Sequence, residues 1–286
     1  MPELPEVETI VRDLAPRLVR RTLRSPQLYK TDVLRGVTRP RLLAALRDRR
    51  VAGMTRRAKH IIVQLESGLR MVIQLRMTGS LLIDRGPLTA EQRRYAVLTA
   101  GLGRGETLVF RDVRRLGTIH LLDEPAWSAY TGRIGAEPLD PTFGLPRFLD
   151  ILRSSSQAVK KVLMDQRKLA GVGNIYANEA LFLAGIDPSR PAHRLDPDAA
   201  GRLLGAVRDV LTAAIDSRGT TVRDYRTGTG QPGSFQFALH VYGREGEPCV
   251  RCRTPLAGTH AIDGRATTFC WRCQGTARPG AGSRER

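Results

Sequence analysis

No apolar run in this chain approaches the ~18 residues of a membrane-spanning helix, so no membrane partner is expected. Aromatic residues are scarce at 5%, too few for a stacking platform that grips single strands. Acidic residues are in deficit: 28 Asp plus Glu face 46 Lys plus Arg, a net charge of +18. Lysine is rare as well. Lys30, Lys59, Lys160, Lys161 and Lys168 are the complete set, and every other basic residue is arginine. Cysteine is absent before position 249. The opening MPELPEVE is acidic and lacks the basic-then-apolar order of a secretory signal, so a bacterial cytosolic or nucleoid location is expected.

What is present narrows the class further. Apolar residues make up 41%, enough to bury a core and too many for a disordered chain. The length of 286 residues suggests two domains. The excess of arginine points to a polyanion, because each neutralised phosphate releases condensed counterions. With aromatics so few, duplex nucleic acid is the better fit. The four cysteines form two Cys-x2-Cys pairs, Cys249/Cys252 and Cys270/Cys273, separated by 17 residues. That spacing suits one tetrahedral zinc with four thiolate ligands and no open position, hence a structural zinc. A redox dithiol is the weaker alternative.

Hydrophobic periodicity sets out the elements. Leu4, Val7, Ile10, Val11 and Leu14 fall at helical spacing, with Pro5 in the first turn and Glu6 and Glu8 at the positive end of the dipole. A short helix fits 40–48. Strands are expected at 60–66, 70–76, 80–84, 94–100, 107–112 and 117–122, several of them parted by glycine turns. This pattern predicts an antiparallel sandwich or barrel rather than alternating βαβ units. Residues 125–146, rich in Pro and Gly, are expected as a linker. Helices follow at 146–152, 156–167, 174–184 and 197–217, the last capped by Asp196. The polar, Gly-rich stretch 219–240 is long enough to be a functional loop. The tail 275–286 is expected to be disordered.

Pro2 carries chemistry once the initiator Met is removed, which a small penultimate residue generally permits. A terminal proline amine has a pKa far below that of lysine and can attack an electrophilic carbon. Glu3 beside it can move protons. Alone, Pro-Glu is an ordinary way to begin a helix. Its company changes that reading. PELPEVE (2–8), RRAKH (56–60), MTGS (77–80), DVRRLG (112–117), LMDQ (163–166), GVGNIYANEALF (171–182), VYGREGEPC (241–249) and GRATTFCWRC (264–273) occur in this order. Together they resemble the bacterial formamidopyrimidine-DNA glycosylase family, across essentially the whole chain. The PELPE start favours this branch over the related endonuclease VIII branch.

The resemblance implies an α+β protein of two domains. Residues 1–124 would form an N-terminal catalytic β-sandwich with its N-terminal helix, followed by the linker at 125–146. Residues 147–240 would form a helical helix–two-turn–helix DNA-binding domain with a lesion loop, and 241–274 the four-cysteine zinc-finger hairpin. It implies a base excision repair glycosylase and AP lyase acting as a monomer on double-stranded DNA with oxidised purines or abasic sites. Pro2 would be the nucleophile at C1′, Glu3 the proton donor to the sugar ring oxygen, and Lys59 the catalytic lysine near the lesion sugar. Glu6 would shape the site. Asn174 would contact backbone phosphate, with Lys160 as a second phosphate ligand. Arg265, at the hairpin tip, would meet the phosphates flanking the lesion and assist elimination. Met77, Arg114 and Leu116 would wedge into the gap left by a flipped-out base.

The chain departs from the family pattern at several points. Leu116 replaces the usual Phe of the wedge, and Arg76 stands where Gly is usual before Met77. A common His is replaced near Arg93, which would then face DNA. Ser155 replaces a phosphate-contacting lysine. The turn LGRGE (102–106) carries extra residues. A non-catalytic zinc-finger DNA-binding protein is the alternative of a different class. Retention of Pro2, Glu3 and Lys59 disfavours it.

Overall fold

A computed structural model describes residues 2–221 and 225–275. The chain divides into two units: one holds residues up to Arg133 together with Ala214–Gln236, the other Ile134–Ala213 and the chain from Phe237 onward. The expected disordered tail lies outside the described residues except for Gly275.

The first unit opens with helix α1 (Leu4–Leu18), which runs four residues beyond the predicted end. Val7, Ile10, Leu14 and Leu18 are all within 1% of complete burial, so one face of the helix is a continuous core stripe. Pro16 removes only one hydrogen bond, so near the C-terminal end the helix tolerates it. Strands β1 (Thr22–Leu28), β2 (Arg49–Arg57), β3 (His60–Leu65), β4 (Arg70–Gln74), β5 (Gly79–Arg85), β6 (Ala96–Gly103), β7 (Glu106–Asp112) and β8 (Thr118–Leu122) follow. They order as β5-β7-β6-β1-β2-β3-β4-β8, each neighbouring pair antiparallel, and the two halves form the sandwich. Ile61, Val63, Leu65, Ile73, Leu81, Val97, Phe110 and Ile119 meet the α1 stripe in one core.

Strand β1 was not expected, because Pro26 argues against a strand interior. It pairs with β2 at Thr22 and Leu23, then with β6 from Arg24 to Leu28. A register break between Arg24 and Gln27, with Ser25 at φ +44°, lets one strand serve both halves. Three helices complete this part of the chain: α2 (Arg39–Leu46), α3 (Ala90–Tyr95) and α4 (Glu124–Thr131). Helix α4 occupies part of the expected linker. Asp123 caps it, accepting from the Ala126 N–H at 3.0 Å, and Pro125 sits in its first turn. That start signal was available in the sequence.

The second unit holds α5 (Leu145–Arg153), α6 (Val159–Met164), α7 (Asn174–Ala184) and most of α8 (Pro197–Asp216). Helix α7 starts and ends where periodicity placed it. It closes on Gly185 at φ +67°, the left-handed cap that glycine supplies without a Cβ penalty. Asp196 caps α8 as expected, accepting from the Ala199 N–H at 2.7 Å. The rest of the expected linker is tied in by backbone bonds, Gly135 N–H to Gln166 O at 2.8 Å and Ala170 N–H to Ala136 O at 2.7 Å. Strands β9 (Ala257–Thr259) and β10 (Thr267–Phe269) form the small cysteine-bearing hairpin.

Candidate active site and nucleic-acid interface

Pro2 and Glu3 lie immediately before α1, and both are buried. The Glu6 carboxylate anchors this start: Oε2 accepts from the Glu3 backbone N–H at 2.7 Å, while Oε1 accepts from the Thr220 N–H at 2.8 Å. Thus Glu6 ties the N-terminal segment to the 219–236 loop. Tyr225 reinforces the tie by donating to Arg218 O at 3.1 Å and Glu6 O at 3.3 Å. Burial, and then the Glu6 charge, push the Tyr225 hydroxyl well above its ordinary value, so it stays a donor. Two glycines permit the close packing. A Cβ on Gly228 would stand 2.8 Å from Asp13 Cβ, and one on Gly233 would collide with the Gly219 carbonyl.

Lys59 is 6% exposed and sits in the two-residue turn between β2 and β3, where Arg57 pairs with His60. Ala58 before it takes φ +52°, a conformation that costs a non-glycine residue ~1–2 kcal/mol. Arg56 holds the turn, donating to Ala58 O at 3.1 Å and to Glu8 Oε2 at 2.8 Å. Arg12 meets the other Glu8 oxygen at 2.8 Å. Burial would raise the Glu8 pKa, but Arg12 and Arg56 outweigh it and hold the carboxylate below its ordinary value. An ionic chain therefore runs from α1 to the turn that carries Lys59. The sequence reading did not single out Glu8 or Arg56 for this task.

On the other side of Lys59, His60 Nδ1 donates to Arg57 O at 3.2 Å, and Tyr130 O–H donates to Nε2 at 3.0 Å. Both ring nitrogens are satisfied by a neutral imidazole. Burial, with nearby His120 and Arg76, lowers the His60 pKa to about 4.

Met77, Arg114 and Leu116 are brought onto neighbouring loops. Met77 is 46% and Leu116 43% exposed, and the Arg114 guanidinium lies 3.4 Å from Met77 Sδ. Buried Asp112 joins the loops, accepting from Thr78 Oγ1 at 2.6 Å and from the Gly117 N–H at 2.7 Å. Asp112 opens the quoted DVRRLG run, yet its joining role was not foreseen. Arg76 takes φ +55°, which explains why glycine suits this turn. Val113, 55% exposed, is a further exposed apolar residue of the same loop. Arg93 is exposed on α3, and among the described residues no hydrogen bond or ion pair of its side chain joins it to the other candidates.

In the second unit, Asn174, Lys160 and Arg265 converge on the turn before β10. Asn174 Nδ2 donates to Ala266 O at 2.9 Å. The Gln166 amide pins the preceding Gly-x-Gly segment, donating to Val172 O at 2.7 Å and accepting from the Gly171 N–H at 2.9 Å. Arg265 is exposed, with its backbone N–H held by Asp263 Oδ1 at 3.0 Å. Lys160 stands differently from the expectation. Its side chain is fully buried and donates to Thr267 Oγ1 at 2.7 Å, with Asp263 Oδ1 at 3.4 Å. Its ammonium is committed to the hairpin turn rather than turned outward to a phosphate. Burial lowers its pKa and Asp263 opposes that shift. Glu179, unremarked in the sequence, is also fully buried and accepts from the backbone N–H groups of His240, Val241 and Tyr242 at 2.8–2.9 Å.

The Sγ atoms of Cys249, Cys252, Cys270 and Cys273 all lie within 4.8 Å of one another. Tetrahedral Zn–S bonds of ~2.3 Å require S–S separations of about 3.8 Å. Cys249–Cys273 at 3.9 Å and Cys252–Cys270 at 3.4 Å fit that requirement. The cluster is a four-thiolate metal site suited to one structural zinc. Its own core is small: Phe182, Val241, Leu256 and the two buried cysteines.

Comparison with known proteins matches residues 1–119 to the formamidopyrimidine-DNA glycosylase N-terminal domain and residues 134–226 to the formamidopyrimidine-DNA glycosylase H2TH domain. The chain is 44% identical to the formamidopyrimidine-DNA glycosylase of Thermomicrobium roseum, covering 96% of this chain and 99% of the relative. The crystal structure of the MutM (Fpg) protein from Thermus thermophilus superposes with TM-score 0.85 at 39% identity, covering 97% and 100% of the two chains. A Lactococcus lactis Fpg mutant in complex with Fapy-dG-containing DNA gives TM-score 0.88 at 31% identity, covering 96% and 99%. The complex of Lactococcus lactis Fpg with abasic-site DNA gives 0.87 at 31%, covering 95% and 99%.

Proposed function

The chain belongs to the formamidopyrimidine-DNA glycosylase family, and from that premise we propose how its own residues carry the reaction. It is a base excision repair DNA glycosylase with the family's AP lyase activity, acting on duplex DNA. In our reading the substrates are oxidised purines and abasic sites, and the enzyme works as a monomer in the bacterial cytoplasm.

Pro2 is the nucleophile, through its free secondary amine after loss of Met1. The amine lone pair attacks C1′ and the N-glycosidic bond breaks; the base leaves with the bonding electrons and takes up a proton equivalent to the one the amine gives up, which restores the nitrogen lone pair. Glu3 protonates O4′, the C1′–O4′ bond opens and an iminium remains. Loss of a C2′ proton then expels the 3′ phosphate by β-elimination, and δ-elimination expels the 5′ phosphate. Lys59 supplies a cation beside the sugar and phosphates. The observation that carries this reading is the burial of Pro2 and Glu3 on a helix start fixed by the Glu6 carboxylate. A residue held at this point keeps the amine that loss of Met1 would free in one place, which pre-organises it for attack.

Asn174 and exposed Arg265, beside the same turn, bind backbone phosphates in this reading, with Arg93 a further contact. Lys160 serves them indirectly by holding the turn. Met77, Arg114 and Leu116 fill the space of the extruded base. Zinc, when bound, holds the hairpin shut and takes no part in bond breaking.

Borohydride trapping on duplexes carrying 8-oxoguanine, a formamidopyrimidine or an abasic site tests the assignment. Wild type should give a covalent adduct on all three. Pro2→Gly should lose trapping and strand cleavage while binding an abasic analogue within a few-fold. Undiminished lyase activity in that variant would show that another amine forms the Schiff base.

A further inference from the structure

At the end of α1 farthest from Pro2, the fold builds a cationic cavity that base excision does not use. Arg17 and Arg21 at the helix end meet Arg85 at the end of β5 and Arg104 and Glu106 at the β6–β7 turn, around a volume of about 420 Å³. Helix α1 has 15 residues, so at 1.5 Å per residue roughly 22 Å separate this end from the Pro2 end.

The charges around the cavity do not balance. Its lining carries four guanidinium groups and a single carboxylate. Glu106 already receives Arg17 at 3.2 Å, Arg21 at 3.2 Å and Arg85 at 3.4 Å. Each guanidinium has five N–H donors, far more than two carboxylate oxygens accept. Arg104, in the two-residue turn between β6 and β7, has no ion-pair partner among the described residues. Arg21 is fixed in place, donating to Leu102 O through Nε at 3.1 Å and through its terminal nitrogen at 2.6 Å. Arg85 leaves 82% of its side chain to solvent. Preorganised and spare guanidinium donors match the tetrahedral oxygens of phosphate. The lining includes no aromatic side chain, so nothing there would select a nucleobase.

We propose that this cavity is an accessory phosphate-binding site, remote from the catalytic end, that takes either a backbone phosphate of a second duplex segment or a free oligophosphate. The two sources share one chemistry, and the tight two-residue β6–β7 turn, Arg104–Gly105, presents Arg104 to it. Arg85 and Arg104 are exposed and stand outside the core, so their removal leaves the fold intact.

The test uses the full-length zinc-loaded protein with its substrate face saturated by an abasic-analogue duplex. A labelled undamaged duplex is titrated by anisotropy, and tripolyphosphate by calorimetry. Wild type should take up one further ligand, and Arg85→Ala/Arg104→Ala should weaken that uptake by about tenfold or more. If the ligand is duplex, the log–log salt slope should flatten by about 2, because two phosphate contacts are lost. Duplex uptake displaced by tripolyphosphate identifies a backbone phosphate, and tripolyphosphate uptake alone identifies a free one; both support the proposal. Uptake of neither, or uptake that the double variant leaves intact, overturns it. Should the double variant melt early, the single charge reversal Arg104→Glu gives the same reading. Single-turnover base excision should stay at the wild-type rate in each variant, which separates this site from the catalytic assignment.

Discussion

Arg56→Met removes the guanidinium that couples α1 to the Lys59 turn while keeping a side chain of similar length to pack. The bonds that disappear include those to Glu8 Oε2 and to Ala58 O. Charge-assisted bonds contribute ~1.5–3 kcal/mol each, and the lower end is taken here because the Arg56 and Glu8 side chains keep some solvent contact. The loss should be about 3 kcal/mol, less whatever strain at Ala58 is relieved once the carbonyl bond is gone. Lys59 itself keeps its charge, so the consequence for chemistry is positional. A misplacement of ~1 Å costs about 100-fold where reacting groups must be aligned. The variant should therefore melt several degrees lower, and its single-turnover excision rate should fall 10- to 100-fold. Affinity for an abasic analogue should stay within a few-fold. Adding Ala58→Gly relieves the backbone strain and should restore stability more than rate. A variant that loses the stability but keeps the single-turnover rate would refute the argument, because Lys59 would then be held by something other than this ionic chain.

Other perturbations probe separate parts of the molecule. Removing zinc with a chelator should lower DNA affinity more than it lowers melting of residues 1–124, because the metal fixes only the small hairpin core; hydrogen exchange resolved by segment would measure both. Arg76→Gly should raise stability by about 1 kcal/mol by relieving a left-handed backbone, read from the denaturation midpoint. Leu116→Phe should tighten binding to lesion duplex more than to undamaged duplex, since a π-face adds ~1–3 kcal/mol of stacking, while the salt slope stays unchanged. For His60 the folded pKa of about 4 lies below its ordinary 6.5, so the neutral form is favoured by folding. Its contribution is fully present above pH 6.5 and is lost as pH falls toward 4, by about 3 kcal/mol across the window. His60→Phe should flatten the melting temperature over that range.

Much of this molecule was legible in the sequence, where the signal was local or the motifs were specific. The α1 stripe, the span of α7, the Asp196 cap and the two cysteine pairs were readable because each rests on spacing along the chain. Strand β1 was hidden because Pro26 normally breaks a ladder, and only the register break at Ser25 makes room for it. Helix α4 was hidden by its neighbours. Its Pro and Gly surroundings read as a linker, although Asp123 and Pro125 marked a helix start. Within the site, the residues named by resemblance carry the proposed chemistry. Of those that position them, Glu6 was named by resemblance, but the positioning contacts of the others were not foreseen. Glu8, Arg56, Asp112 and Glu179 act through contacts with residues distant in sequence, and single-chain periodicity is blind to such contacts.

Lys160 shows why charge alone misleads. Read along the chain, a lysine on the helix before a Gly-x-Gly turn looks like a phosphate ligand. A phosphate ligand must keep its ammonium at the surface, and this one is fully buried. Burying a charge is costly unless it is paired and hydrogen-bonded, and Thr267, Ala266 O and Asp263 meet that condition together. The same Asp263 carboxylate also receives the Arg265 N–H. One buried cation thus fixes the turn from which an exposed one projects. Lys160→Met would keep the bulk and remove the ammonium, leaving Asp263 a partly buried carboxylate without its partner. The turn should loosen, and Arg265 should lose its definition before the zinc cluster does. Lysine and arginine, equal in the net charge, divide the labour by burial. Which does which is decided by the Asp263 carboxylate, 103 positions along the chain from Lys160.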